Sequence, residues 1–295
     1  MTLKNCSSFL RFWFMAIRPK TLVAAVAPVL MATILAFRVG SVEYPIAFLV
    51  LLTALLIQIA TNVANDLIDF KRGTDIERVG PTRAAQSGLL SEIQLKKGLY
   101  FILAAVIFLG FILVLKGGWP ILVIGLAAIV CTIWYSAGPL ALSYTGLADF
   151  FVLIFFGPIA TSGTFYLLTG QWWIEAFGLG FAPGLIAVAI LTANNLRDYW
   201  TDKKVNKKTL VVRFGLLFGK SEYTACLLLA IFFPVFNLIL LKKAAILAVF
   251  ITFLIIRPLK KVWKAQSAQD FMSVLPDTAQ ILVGYAFLFS VGIFL

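Results

Sequence analysis

Histidine is absent from the 295-residue chain. Its absence excludes Ser-His-Asp and Cys-His catalysis, haem ligation through histidine and the usual zinc-hydrolase ligand sets. Cysteine is scarce: the chain has three, and none lies in a C-x-x-C pair, so neither a disulfide framework nor a zinc site is indicated. Any chemistry therefore depends on Asp, Asn, Tyr, Lys and Arg side chains.

Charged residues are also scarce, at 13% of the chain against about 25% in an average soluble protein. Hydrophobic residues make up 61%, and the mean hydropathy is +0.99. A chain this apolar is expected in a membrane, where its length leaves room for about eight to ten crossings. The sequence therefore predicts an all-α polytopic membrane protein that forms one domain over residues 1–295.

Nine apolar runs predict nine transmembrane helices. They are Thr21–Phe37, Tyr44–Ala64, Gly98–Leu115, Trp119–Ala137, Leu147–Leu168, Trp173–Ala193, Tyr223–Leu241, Ala244–Ile256 and Leu275–Leu295. The first run follows basic residues, as the core of a signal peptide would. Because it is long enough to span and lacks a clean small-residue cleavage site, we interpret it as a retained helix.

The positions of lysine and arginine predict the orientation of the chain. Most of the 25 lie in the N-terminal tail and in the loops after the second, sixth and eighth runs. The four on the opposite side are Arg38, Lys116, Lys242 and Lys243. The N-terminus is therefore predicted to be cytoplasmic and the C-terminus outside, in the cell inner (plasma) membrane. Topology and anionic lipid account for the net charge of +12, so no nucleic-acid partner is expected.

The two longest polar connections open on related sequences. Residues 64–70 (ANDLIDF) align with residues 193–199 (ANNLRDY) at a constant offset of 129, each at the end of an even-numbered run. This indicates a duplicated four-helix unit. Repeat one is expected at about 10–140, repeat two at about 141–262, and an appended ninth helix at about 275–295.

Each connection carries an acidic motif. We call Asn62, Asn65, Asp66 and Asp69 the first Asp motif, and Asn194, Asp198 and Asp202 the second. If the helices continue past the interface, helical spacing places the acids of each motif on one face, and a two-fold relation makes the faces confront each other. Helix dipoles disfavour carboxylates at C-termini, so a bound cation is expected, and such oxygen ligands suit Mg²⁺. The alternative is a solvated helix exit rich in Asp and Asn.

Three basic residues near the motifs are candidates for phosphate binding: Arg83, Lys207 and Arg213. They lie in residues 80–88 and 207–215, where glycine and threonine let backbone amides join a phosphate-binding turn. The alternative is the positive-inside bias, which accounts for most of the basic residues here. A P-loop is absent, so nucleotide hydrolysis has no support.

With these motifs the chain resembles the UbiA superfamily of intramembrane aromatic prenyltransferases over essentially its whole length. Asn65, Asp66 and Asp69 resemble the family's N-D-x-x-D-x-x-x-D motif, with the final acid displaced to Asp75. Asp198 and Asp202 resemble its D-x-x-x-D motif. Residues 18–22, 80–88, 194–198 and 207–215 resemble the 1,4-dihydroxy-2-naphthoate branch of the superfamily.

The resemblance implies a nine-span, all-helical bundle of the UbiA type, made of two four-helix repeats and one further helix. It implies Mg²⁺ bridged between the two Asp motifs. It also implies transfer of a polyprenyl group from polyprenyl diphosphate to an aromatic acid acceptor in the membrane. In this branch the acceptor is 1,4-dihydroxy-2-naphthoate, and loss of CO₂ and diphosphate gives demethylmenaquinone.

The resemblance also implies roles for single residues. The implied metal ligands are Asp66, Asp69, Asp198 and Asp202. The implied substrate-binding residues near the two motifs are Asn62, Asn65, Arg83, Asn194, Lys207 and Arg213, of which Arg83 and Lys207 would hold phosphate oxygens. Candidates for shielding an allylic cation are Tyr135, Tyr144, Tyr166 and Trp200, which are equally typical of membrane interfaces.

Three further residues are assigned to the acceptor. Asp149 would orient or deprotonate the naphthol, or pair with a loop amide. Arg18 and Lys20 would attract the carboxylate of the acceptor, or act only as topology signals.

Other interpretations of the sequence remain open. A sister prenyltransferase would use 4-hydroxybenzoate, homogentisate or another naphthoate. An ion-coupled secondary transporter would also have repeats and membrane acids, although its acids tend towards the bilayer midplane. Two complete Asp motifs argue against a non-catalytic scaffold. The motifs are compatible with polyprenyl donors of any length and with any oligomeric state of the protein.

Overall fold

The computed structural model describes residues 11–40, 42–73, 79–81, 83–241 and 245–294. Within these ranges no residue lies in a strand, which confirms the all-α prediction. After a helical segment at residues 11–17, the α-helices are α1 (Pro19–Arg38), α2 (Tyr44–Arg72), α3 (Glu92–Trp134), α4 (Leu142–Thr145), α5 (Ala148–Phe155), α6 (Pro158–Thr169), α7 (Ile174–Lys204), α8 (Leu210–Phe214), α9 (Leu216–Leu241), α10 (Ala245–Lys264) and α11 (Val274–Phe294). A 3₁₀ turn, Asp270–Ser273, precedes α11.

Seven helical segments of the described residues are long and apolar enough to cross a membrane. This agrees with the predicted multi-pass membrane protein. The count of nine spans, the repeat boundaries and the orientation of the termini stay predictions. The eighth predicted span begins at Ala244, which lies outside the described residues.

Helix α3 contains two of the predicted spans. A capping box begins it, in which the Ser91 side chain accepts a hydrogen bond from the Gln94 amide and the Gln94 side chain accepts one from the Ser91 amide. The helix has 43 residues, and a straight helix of that length would extend about twice the ~30 Å of a bilayer core. Gly118 interrupts it with a positive φ of 69°, which favours glycine. We call residues 92–117 and 119–134 the first and second arms of α3.

The predicted fifth span is broken into α5 and α6. The break lies at Gly157 and Pro158. Proline disfavours the α-conformation at the residue before it and removes one helical hydrogen bond, so it begins a helix more readily than it continues one. The apolar run alone does not reveal this break, because both halves are hydrophobic.

Helices α2 and α7 run past their apolar segments and include both Asp motifs. Helix α2 ends at Arg72, where Gly73 adopts a left-handed conformation and its amide bonds to carbonyls of the last turn. Helix α7 continues to Lys204. The acids of both motifs therefore lie near helix C-termini.

Helix α7 lies at the centre of the bundle and contacts α1, α5, α6, α8, α9 and α11. Close approach of α7 to the α5–α6 break depends on glycine. A Cβ on Gly180 would lie 2.6 Å from backbone atoms of Gly157 and Pro158, and one on Gly184 would lie 2.5 Å from the carbonyl oxygen of Leu153. Small residues allow such packing between membrane helices.

We expect Gly180→Ala to destabilise the bundle by about 1–3 kcal/mol, because the added methyl group overlaps backbone atoms that cannot move aside. The measurement is thermal unfolding in detergent. Gly125→Ala is the matched control, because a Cβ there meets no described atom within 4 Å. Equal melting temperatures for the two variants would contradict this account of the packing.

Candidate active site

A cavity of about 390 Å³ lies between α1, α2 and α7; we call it the polar cavity. From the first Asp motif its lining includes Asn62, Asn65 and Asp66, and from the second it includes Asn194. Residues of both motifs thus line one cavity, although the motifs are far apart in sequence. The predicted metal ligands Asp69, Asp198 and Asp202, and the predicted phosphate ligand Lys207, are not among its lining residues. The remaining lining residues among the predicted site residues are Arg18, Lys20, Arg83 and Tyr135.

The segment after α2 folds back over the first Asp motif. Arg83 Nη2 lies 3.1 Å from Asp69 Oδ2, and Arg83 Nη1 donates to Asn65 Oδ1 at 3.3 Å. The Ala85 amide lies 3.4 Å from Asp66 Oδ2, a long hydrogen bond. The guanidinium therefore supplies the positive charge that a carboxylate at a helix C-terminus requires.

Asp66 and Asp69 differ in their remaining contacts. Tyr144, in α4, donates its hydroxyl to Asp69 Oδ1 at 3.0 Å. The Oδ1 atom of Asp66 is buried and has no hydrogen-bond partner in the described part of the chain. A buried carboxylate oxygen of this kind is suited to accept a cation.

The second Asp motif is neutralised mainly by Arg197, which sequence reasoning did not assign to the site. Its guanidinium forms two hydrogen bonds of 2.7 Å with the carboxylate of Asp198 and a further one with Asn194 Oδ1. Arg197 and Asp198 are both buried, and Arg197 also lines the polar cavity. The sequence does place Arg197 directly before Asp198. The positive-inside bias also explains a basic residue at this position, so the sequence alone did not single it out.

Lys207 connects the two motifs electrostatically. Its Nζ lies 3.8 Å from Asp202 Oδ1 and 5.3 Å from the centre of the Tyr144 ring. Burial alone would lower the pKa of the Lys207 ammonium, but the carboxylates of Asp202 and Asp69 outweigh burial and raise that pKa. Lys207 therefore stays positively charged throughout the neutral range, between an acid of α2 and an acid of α7.

The turn before α1 is held against the first Asp motif. Arg18 has a φ of 53°, in the left-handed region, which is uncommon for a residue other than glycine and costs about 1–3 kcal/mol. Thr21 donates both its amide and its hydroxyl to the Arg18 carbonyl at 2.9 Å. The Asn62 side-chain amide donates to the Ile17 carbonyl at 2.8 Å and to Thr21 Oγ1 at 3.0 Å. Asn62 thus fixes the turn that carries Arg18 and Lys20.

Other predicted residues lie outside the lining of the polar cavity. Asp149 is buried, and neither of its carboxylate oxygens has a hydrogen-bond partner within the described ranges. Arg213 is exposed, and its Nε donates to the Lys208 carbonyl at 3.1 Å. Tyr166 donates to the Gly117 carbonyl, at the bend of α3. Asp75 lies outside the described residues. Proximity in sequence to the motif segments did not bring Arg213 to the cavity.

The side chains of the two motifs offer oxygen donors for a metal ion but no complete ligand set among the described residues. Among the described residues, no three Asp, Glu, Cys or His side chains are grouped closely enough to hold a metal ion by themselves. The available donors are carboxylate and amide oxygens, the ligands that Mg²⁺ prefers, and one oxygen of Asp66 has no partner in these ranges. The residues therefore fit a Mg²⁺ ion that completes its shell with water or phosphate oxygens.

Comparison with known proteins identifies the family. Residues 25–289 match the model of the UbiA prenyltransferase family. This chain belongs to that family. A UbiA homolog from Archaeoglobus fulgidus, solved bound to GPP and Mg²⁺, has a TM-score of 0.65 at 16% identity, over 96% of this chain and 100% of that chain. At this identity the likeness concerns the fold alone.

Several relatives more than 30% identical to this chain share the same name. The 1,4-dihydroxy-2-naphthoate octaprenyltransferase of Escherichia coli (strain K12) is 37% identical over 225 residues, which cover 74% of this chain and 72% of that protein. The protein of the same name from Mycobacterium tuberculosis (strain ATCC 25618 / H37Rv) is 31% identical over 276 residues, covering 93% of this chain and 94% of that protein. The similarity to the UbiA family thus extends over most of the chain.

Replacing Lys207 is expected to destabilise the site. In Lys207→Met, Asp202 and Asp69 lose their common cation, and breaking such a largely buried pair costs about 3–5 kcal/mol. The pKa of Lys207 is raised in the folded protein. The stability that Lys207 contributes is therefore fully present below the unfolded pKa of about 10.4, and it is lost only when the pH rises through the pKa of the folded protein. Thermal unfolding should therefore show the same loss at pH 6 and at pH 9.

Lys208→Met is the matched control for this measurement, since Lys208 is adjacent and exposed. We expect no change in its melting temperature. A loss of stability in Lys207→Met that disappears between pH 6 and pH 9 would contradict a permanently charged lysine.

Proposed function

We propose that this UbiA-family chain transfers a polyprenyl group from polyprenyl diphosphate to 1,4-dihydroxy-2-naphthoate, with loss of CO₂ and diphosphate, giving demethylmenaquinol, the reduced form of demethylmenaquinone. The observation that carries the proposal is the polar cavity lined by residues of both Asp motifs. The names of the Escherichia coli and Mycobacterium tuberculosis relatives support this choice of acceptor. Membership of a prenyltransferase family favours an enzyme over a transporter.

The diphosphate is proposed to bind between the two motifs. Arg83 lines the cavity and would contact the phosphate oxygens of a donor placed there. Lys207, which lies beside Asp202 and outside the lining, would add positive charge next to the second motif. Asn65 and Asn194 line the same cavity and offer amide donors. Asp66, Asp69, Asp198 and Asp202 would hold Mg²⁺. When bound, the metal would neutralise the leaving group and help ionise the allylic C–O bond.

The acceptor is proposed to bind beside α1. Arg18 and Lys20 line the cavity from the turn that Asn62 and Thr21 hold, and their charges suit the carboxylate of a naphthoate. Tyr135 lines the cavity and offers an aromatic surface to an allylic cation. Asp149 is buried outside the lining of this cavity, and its two carboxylate oxygens have no hydrogen-bond partner in the described ranges. Its proposed role, to orient or deprotonate the naphthol, requires the acceptor to extend from the polar cavity to this carboxylate.

The test of this function uses proteoliposomes with 1,4-dihydroxy-2-naphthoate, octaprenyl diphosphate and Mg²⁺. We expect a prenylated, decarboxylated product by mass spectrometry, and no product after addition of EDTA. Asp66→Asn and Asp198→Asn should each lower the rate by about 100-fold or more, because each removes a carboxylate proposed to hold the Mg²⁺ that would neutralise the leaving group.

Glu92→Gln is the control, since Glu92 is a surface acid paired with Lys71 and Lys96. We expect it to retain the wild-type rate. Undiminished turnover in either Asp variant would refute the proposed metal ligands. Product formed only from 4-hydroxybenzoate would assign the enzyme to a sister branch of the family.

A second prediction concerns the turn that carries Arg18. Thr21→Val keeps the shape of the side chain but loses the hydroxyl that bonds to Arg18 and Asn62. Because one such hydrogen bond contributes about 0.5–1.5 kcal/mol, the KM for the naphthoate should rise by about two- to tenfold. The KM for the prenyl diphosphate should not change.

Thr21→Ser keeps the hydroxyl and is expected to restore the wild-type KM. Steady-state kinetics with each substrate varied in turn give both constants. An equal rise of the two KM values in Thr21→Val would show that the turn does not act on the acceptor.

A further inference from the structure

Residues 136–147 connect α3 to α5 and include α4; we call them the connecting segment. The segment contains no charged residue, and Tyr144 is its only aromatic residue. It nevertheless lies against charged residues from two places, the end of α2 and the stretch that follows α7. Each place adjoins one of the Asp motifs, so the connecting segment contacts the surroundings of both.

The last turn of α2 holds the connecting segment through its backbone, its aromatic ring and a hydroxyl group. Arg72 Nη2 donates to the Gly138 carbonyl at 2.7 Å, and the Arg72 guanidinium carbon lies 4.3 Å from the centre of the Tyr144 ring. A guanidinium group is attracted by the electron-rich face of an aromatic ring. The Tyr144 hydroxyl donates to Asp69 at 3.0 Å, so the first Asp motif is part of the same set of contacts.

The stretch after α7 holds the same tyrosine next to the second Asp motif. The Lys208 amide donates to the Tyr144 carbonyl at 3.2 Å, and Lys207 Nζ lies 5.3 Å from the centre of the Tyr144 ring. The packing is also close, since a Cβ on Gly146 would lie 2.9 Å from a side-chain carbon of Leu210. One residue, Tyr144, is therefore in contact with parts of the chain that adjoin both motifs.

These contacts favour a positioning role for Tyr144 over the predicted shielding of an allylic cation. Tyr144 is not among the residues that line the polar cavity, whereas Tyr135 is. The Tyr144 ring already lies close to two side-chain cations, Arg72 and Lys207. Both would repel a prenyl cation that approached the ring, because like charges repel strongly where water is largely excluded.

The same electrostatics explain what the tyrosine contributes. Arg72 and Lys207 carry like charges and approach one ring, so their repulsion has to be offset by neighbouring groups. The ring face attracts both cations, and the carboxylates of Asp69 and Asp202 lie beside the ring and Lys207. An aliphatic side chain at position 144 would remove the ring and the hydroxyl together. The connection from Asp69 through Tyr144 to Lys207 would then be broken.

We propose that Tyr144 is a positioning residue, which holds Asp69 of the first Asp motif and Lys207 beside the second at the separation that a Mg²⁺-bound diphosphate requires. The inference rests on the proposed function, because it takes the diphosphate to bind between the motifs. Tyr144 acts through these two side chains. Its effect therefore lies in the affinity for the diphosphate and not in the affinity for the aromatic acceptor.

The direct test measures binding of inorganic pyrophosphate with Mg²⁺ to the full chain in detergent, by isothermal titration calorimetry. In Tyr144→Leu the Kd should rise by about tenfold or more, because both the ring and the hydroxyl are lost. Tyr144→Phe keeps the ring and loses one hydrogen bond, so its Kd should rise by about two- to tenfold, less than in Tyr144→Leu. Tyr100→Leu is the matched control, since Tyr100 is an exposed tyrosine of α3, and its Kd should equal that of the wild type.

A double-mutant cycle tests whether Tyr144 and Lys207 act together. Once Lys207→Met has removed the ammonium group, the ring has no cation beside the second motif to hold. The Kd of Tyr144→Leu combined with Lys207→Met should therefore rise by clearly less than the product of the two single factors. Tyr144→Leu combined with Lys208→Met should give the full product, because the Lys208 side chain is exposed. Melting temperatures without ligand identify the variants that are folded at the assay temperature.

Steady-state kinetics give a further measurement that a purely structural role would not change. The KM for octaprenyl diphosphate should rise in Tyr144→Leu by about the same factor as the Kd for pyrophosphate. The KM for the naphthoate should stay at the wild-type value. A general loss of structure would lower the active fraction and leave both KM values unchanged.

The outcomes separate this inference from the proposed function. If the wild type binds pyrophosphate, an unchanged Kd in Tyr144→Leu, or full multiplication of the two factors in its combination with Lys207→Met, would overturn the positioning role alone. If Tyr144→Leu does not fold, Tyr144→Phe decides, because it keeps the shape of the side chain; an unchanged Kd in that variant would also overturn the role. A wild-type protein that does not bind pyrophosphate with Mg²⁺ would refute the proposed diphosphate site, and the inference with it.

Discussion

The site depends on neutralising carboxylates that two helices carry near their C-termini. Helix dipoles and burial both disfavour negative charge at the ends of α2 and α7. The chain supplies Arg83 from the segment after α2, Lys207 from the segment after α7, and Arg197 from α7 itself. A diphosphate that binds to Arg83 competes with Asp69 for this guanidinium, and Asp69 then requires another cation. This competition is a physical reason for a divalent metal to accompany the donor.

The sequence predicts the helical class and the general positions of the helices, because each apolar run is long enough to span a bilayer. It predicts the interruption between the third and fourth runs, but not the break inside the fifth run. The third and fourth runs belong to one helix that is interrupted at the single residue Gly118, and the fifth is broken before Pro158. The interruption at Gly118 lies between two apolar runs, whereas the break before Pro158 lies inside one, where hydropathy carries no signal. Helix propensity and local backbone sterics decide such positions, and neither changes the average hydrophobicity of the run.

The repeated Asp motifs could be found from sequence, since an offset of 129 residues is visible by inspection. That they line one cavity depends on how α2 and α7 pack. The hydrogen bonds that organise the cavity could not be predicted either, because they too depend on how the helices pack. Tyr144 and Asp69 are distant in sequence, as are Asn62 and Thr21, and only the tertiary structure brings these pairs together. The exposed Arg213 shows the converse, because a basic residue in a motif-like segment points away from the cavity.

Helices α7 and α3 differ in how tightly they pack, and the difference matches the two demands of prenyl transfer. Helix α7 is the most buried of the spanning segments and carries the second Asp motif, fixed by glycine contacts to the α5–α6 break. Helix α3 is the least buried, and two of its glycines, Gly110 and Gly125, which line an apolar cavity of about 370 Å³, face open space. Charge stabilisation requires groups held in fixed positions, whereas a long hydrocarbon chain needs only an apolar path of sufficient width. Tight packing around α7 and loose packing along α3 therefore allow one bundle to hold a rigid polar cavity and an open apolar one side by side.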